Sequence, residues 1–175
     1  MDTNSQISRI NNFVTRVRRN HALEHATIHV LSSQHRNKSI IGRSDSKGFF
    51  LYTELLHDAV EEGIHQAERR LRSGENHLAI HPNCGTNLLT GGILSAGAAF
   101  LSLQGSKDEK PYERIQRLPL AILGAMAGIL LAQPLGSRIQ QHVTTQSDLG
   151  PLTVSSIQAI RTGPTRLYRI LTQDN

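Results

Sequence analysis

Apolar residues recur at helical spacing from residue 7 to about residue 33, through Ile10, Phe13, Val14, Val17, Ile28 and Leu31, and predict a long first helix with one buried face. Residues 40–41 and 49–52 read as short strands around the turn-rich stretch Arg43-Ser-Asp-Ser-Lys-Gly48. A second stripe, Leu56, Val60, Ile64, Ala67 and Leu71, predicts a helix starting near Asp58, with Glu61 completing a capping box and Gly74 as the stop. His77 to His81 alternates like a short strand that Pro82 ends. Near the C-terminus, residues 152–160, the turn Thr162-Gly-Pro-Thr165 and residues 166–171 read as a second hairpin.

The middle of the chain breaks this polar-apolar alternation. No Asp, Glu, Lys or Arg occurs from residue 76 to 106, nor from 118 to 137, while residues 107–117 hold four basic and three acidic residues. Within these stretches, the apolar runs 88–103 and 118–135 would span roughly 24–27 Å as helices, slightly short of a ~30 Å hydrocarbon core. They predict a transmembrane helical hairpin. Gly91, Gly92, Ser95, Ala96 and Ala99, and the pair Gly124 and Gly128, are small residues at the spacing that lets lipid-embedded helices approach. Neither run is N-terminal, so neither reads as a signal peptide.

The expected fold class is therefore α+β. Residues 1–85 form a domain carrying the His motifs, residues 86–137 a two-helix transmembrane hairpin, and residues 138–175 a β-hairpin that packs back on the first domain. The composition fits a chain of 175 residues with one core: 38% hydrophobic, 19% charged, 4% aromatic, with a mean hydropathy of −0.30 that averages over the uneven distribution. One cysteine excludes an internal disulfide framework. The net charge of +5, with clusters at Arg16, Arg18, Arg19 and at Arg69, Arg70, Arg72, points to lipid headgroups beside a membrane hairpin. No nucleic-acid partner is expected, since no binding motif accompanies the charge.

Candidate chemistry gathers in two places. His21-Ala-Leu-Glu-His25 places His21, Glu24 and His25 on neighbouring positions of one helix face. Two His at i and i+4 make a metal clamp, and Glu24 is placed to take a proton from a metal-bound water. His81-Pro-Asn-Cys84 has ligand-like spacing around a turn, with Thr86 or Asn87 expected to cap the first apolar helix. His29 has rotated about 80° from the line of His21 and reads as a flanking residue or as one that supports the ligands from behind. His57, His65 and His77 read as solvated.

HALEHATIH followed by HPNCGTNLL and an apolar hairpin resembles a bacterial membrane-protein family of unknown function with the same order of motifs. In those two motifs it is also similar to the YqhQ-like family of predicted metal-dependent membrane proteins, with Ala22, Leu23 and Asn83 as the departures. Both resemblances imply a metal at a membrane and neither names a reaction. With both motifs in play, His21, His25, His81 and Cys84 are the expected ligands, a tetrahedral N/S set that suits zinc.

The ligand number separates the functions. Four protein ligands close the site and make it structural, in a membrane assembly or partner-binding protein. Three leave a water for Glu24 to activate, as in a zinc-dependent hydrolase of protease-like type. A Cys84 thiol enzyme with a histidine base is a third reading, so enzyme status stays open. The bilayer is the expected partner, and a second membrane protein or copy would meet the small-residue helix faces. Two spans put both termini on one side. Four basic residues in the loop balance four on the outer flanks, so charge does not decide the side, and the reduced Cys84 favours the cytoplasm.

Overall fold

A computed structural model describes residues 3–104 and 111–175 of the chain. Two compact units result: the segments up to His81 and from Gln141 onward form one, and Pro82–Gln140 the other. The expected Lys107 and Lys110 loop positions lie outside the described residues.

The first unit mixes helix and sheet. Helix α1 (Thr3–Gln34) leads to strands β1 (Ile40–Asp45) and β2 (Gly48–Thr53), helix α2 (His57–Arg72) and a 3-10 turn at Asn76–Ala79. The chain returns as β3 (Leu152–Arg161) and β4 (Arg166–Asp174). Among the described residues the strands form one antiparallel sheet in the order β1-β2-β4-β3. The first hairpin is tighter than its sequence implies, because the strands extend through Asp45 and Gly48, which pair with each other. The Asp45 carboxylate accepts the Lys47 N–H at 2.7 Å, and Gly48 has φ +143°. A side chain at Gly48 would also run into the Ile170 carbonyl of β4, so glycine is required twice over.

One face of the sheet is the core. Phe49 and Leu51 of β2 lie opposite Ile170 and Tyr168 of β4, and all four are buried against Leu23, Ala26 and Leu31 of α1 and Val60, Ile64 and Ala67 of α2. The Tyr168 hydroxyl donates to the Leu55 carbonyl at 2.9 Å, which satisfies its polar end inside that core. On the other face, the Arg169 guanidinium lies 4.3 Å from the ring centre of Phe50 and pairs with Asp45 at 2.9 Å.

Several local expectations need correction. Helix α1 starts earlier than expected, and its first apolar residues, Ile7, Ile10, Phe13 and Val14, are exposed; burial begins at Asn20, where the sheet and α2 begin to cover the helix. No capping box forms at Asp58, because α2 starts one residue earlier with Leu56 as N-cap and no side-chain cap. Residues 77–81 are not a strand. Leu78 and Ala79 are neighbours yet both buried, a pattern that a tight 3-10 turn satisfies and an alternating strand does not.

The second unit contains α3 (Gly85–Leu103), the short α4 (Pro111–Gln116) and α5 (Leu118–Ile139), which continues as a π-turn over Gln140–Thr144 beyond the unit's edge. Helix α3, and α5 with the turn that continues it, are each long and apolar enough to cross a membrane. They run antiparallel. Gly128 sits against the backbone of Leu94 and Ser95, Gly124 against Ala98, and Gly91 against Ala132. A Cβ at Gly128 would lie 2.7 Å from the Ser95 nitrogen, so the GxxxG spacing brings one helix onto the other's backbone. The Ser95 hydroxyl donates to the Ala125 carbonyl at 3.0 Å, and the buried Gln140 amide donates to Asn87 at 2.7 Å. The N-cap of α3 is Cys84, not Thr86 or Asn87: its sulfur accepts the Thr86 N–H at 3.4 Å, while Asn87 donates to the Pro82 carbonyl.

Candidate metal centre

The two histidines expected to form a clamp lie side by side on α1. The His21 and His25 rings are 4.3 Å apart between centres, as their spacing of one helical turn requires. Each is oriented by a distant main-chain carbonyl. His21 Nδ1 bonds to the carbonyl of Thr144 at 3.0 Å and His25 Nδ1 to that of Ala79 at 2.7 Å. A carbonyl oxygen only accepts, so both Nδ1 atoms carry the proton, and in the neutral form of each ring the lone pair is on Nε2. Metal-ligating histidines are typically oriented in this way.

The 3-10 turn adds a second pair. His29 Nε2 donates to the Ile80 carbonyl at 2.7 Å, one peptide beyond the carbonyl that His25 holds. The His81 ring follows, 5.7 Å from His25 and 5.1 Å from His29 between centres. Burial, then the charges of His25 and His29, push the His81 imidazole down to about 4, so it is neutral at physiological pH. Four imidazoles thus follow one another in space. The sequence, through the spacing of four from His25, had already suggested a flanking or supporting place for His29, and the structure puts its ring beside that of His81.

Glu24 is buried, at 5% exposure, and its carboxyl lies against the α-carbon of Gly42 in β1. At about 100° per residue it stands some 100° around the helix from His25, on the side turned to the sheet. Cys84 is buried at the positive end of the α3 dipole, three residues after His81. Of the histidines read as solvated, His77 is exposed and His57 lies 3.7 Å from Glu61.

The arginine clusters do local work. Arg16 donates to the Thr172 carbonyl, Arg18 to those of His142 and Thr145, Arg19 to that of Asp148, and Arg72 to those of Gly150 and Leu152. These guanidiniums tie the C-terminal segment to α1 and α2, and through Thr144 that segment orients His21.

The chain is 37% identical over 156 residues to an uncharacterized protein of Picosynechococcus sp. (strain ATCC 27264 / PCC 7002 / PR-6), covering 81% of this chain and 71% of that protein. No solved structure matches it. A family described as a domain of unknown function, DUF6391, matches residues 16–157, a span that takes in every histidine discussed above, Cys84 and both long apolar helices, and the chain belongs to that family.

Proposed function

We propose that this chain is an integral membrane protein with a zinc site, held by His21, His25 and Cys84 with His81 as a fourth donor. The observation that carries the reading is the pair of Nδ1–H···O=C bonds that orient His21 and His25 and leave Nε2 as the ligating atom of each neutral ring. His81 adds a neutral imidazole, and Cys84 follows it at a spacing suited to one ion. Two nitrogens and a thiolate favour zinc over the oxygen-seeking cations. The motif likeness to the YqhQ-like proteins points the same way.

With three protein ligands, the zinc would supply an activated water and Glu24 would accept its proton, which makes the chain a protease-like hydrolase. A specific observation favours a second reading. The Glu24 carboxyl is packed against Gly42 in the sheet, which suits a structural ion in an assembly protein. In both readings α3 and α5 cross the membrane, small-residue faces offer the contact for a copy or another membrane protein, and both termini are cytoplasmic.

The test is metal content of the full-length protein purified in detergent under reducing conditions. About one zinc per chain is expected, falling on replacement of His21, His25 or Cys84 by Ala. Folded protein that takes up no zinc or cobalt after loading overturns the reading.

A further inference from the structure

We infer that His29 is a positioning residue for the metal centre, setting the course of the segment that delivers His81 and leads on to Cys84; this rests on the metal reading above. Helix α1 uses two histidines one turn apart to hold two successive peptide groups: His25 takes the Ala79 carbonyl and His29 that of Ile80, each at 2.7 Å. The 3-10 turn ends at Ala79 and Ile80 is extended, so these carbonyls lie where the chain changes direction. His81 comes next, with its ring beside that of His29. Cys84 is three residues further along the chain.

His29 commits its Nε2–H to the Ile80 carbonyl, which leaves Nε2 no lone pair for a metal. It acts on the ligands chiefly through Ile80, its ring packing beside that of His81 being the smaller contribution. Partners of this kind, once removed, typically weaken metal binding by about 10- to 100-fold while the ligands remain.

Two variants separate these contributions. His29→Gln keeps an N–H for the Ile80 carbonyl and removes the ring; His29→Phe keeps a ring against His81 and removes the donor. Full-length protein in detergent is loaded with Co²⁺, and the affinity is read by chelator competition and the ligand field from the visible spectrum. His29→Phe should weaken Co²⁺ and Zn²⁺ by about 10- to 100-fold and shift the cobalt bands. His29→Gln should stay within a few-fold of wild type. Circular dichroism confirms that each variant is folded. If both folded variants bind as wild type does, the inference is overturned and the metal site stands. If wild type itself binds neither metal, the metal reading fails and the inference goes with it.

Discussion

The carboxyl of Glu24 and the α-carbon of Gly42 are in direct contact: a methyl group built on Gly42 would sit 2.4 Å from Oε1. A helix residue read as a catalytic base is thus also a packing element of the edge strand β1. Gly42→Ala should force Glu24 or β1 to move and destabilise the protein by about 1–3 kcal/mol. Thermal unfolding of Gly42→Ala, alone and combined with Glu24→Ala, checks this. The second change should recover part of the loss, and strictly additive effects would separate the two residues.

Glu24→Gln is nearly isosteric and should leave zinc occupancy unchanged. Under the hydrolase reading, it removes turnover in any activity assay; under the structural reading, cellular function survives. Loss of the metal would make Glu24 a ligand instead.

The close approach of α3 and α5 depends on Gly128. Gly128→Leu should separate the helices, because the clash is with the backbone of Leu94 and Ser95 and no rotamer relieves it. Gly92→Leu is the control, since a Cβ there meets nothing within 4 Å. A disulfide trap between Ser95→Cys and Ala125→Cys, built in a Cys84→Ser background, reads the distance. It should close in the Gly92 variant and fail in the Gly128 variant.

Burial alone would raise the Asp45 carboxyl, but hydrogen bonds from Arg169 and from the Lys47 N–H, with the Arg169 charge, hold it below its ordinary value. A carboxylate so depressed adds stability above the unfolded pKa of about 4 and loses it as pH falls through the lower folded value. Asp45→Asn should therefore lower stability at neutral pH and flatten the acid limb of the stability curve. Urea unfolding at pH 7 and in steps below pH 4 measures both. The effect is small, because Asp45 is 43% exposed.

The proposed two-span arrangement would place Gln6 and Asn175 on one side of the membrane and Tyr112 on the other. In a Cys84→Ser background, single cysteines at these three exposed positions should label accordingly: Tyr112→Cys from outside intact cells, the other two only after lysis. Gln6 and Asn175 labelling from opposite sides would remove the two-span arrangement.

The long uncharged runs made α3 and α5 legible because a membrane-length helix needs little context beyond its own composition. The β3–β4 hairpin was legible from Gly163 and Pro164 between alternating strands. Residues 77–81 misled because their alternation was incidental, and only the core that takes in Leu78 and Ala79 decides their form. The clamp of His21 and His25 was local and readable. Its orientation was not, since the carbonyls involved lie 123 and 54 residues away in sequence. Glu24 shows the same limit: helix spacing places it near the histidines, but the absent side chain of Gly42 draws it to the sheet.

The central strands β2 and β4 pair Gly48 with Leu171, although more than a hundred residues separate them in sequence. During synthesis, at ~5–20 residues per second, β2 waits on the order of ten seconds for its neighbour. Through that interval both long apolar helices emerge, while Phe49 and Leu51 lie on a strand with an open edge. A chain stopped short of residue 166 would keep that edge open permanently and invite pairing with other chains.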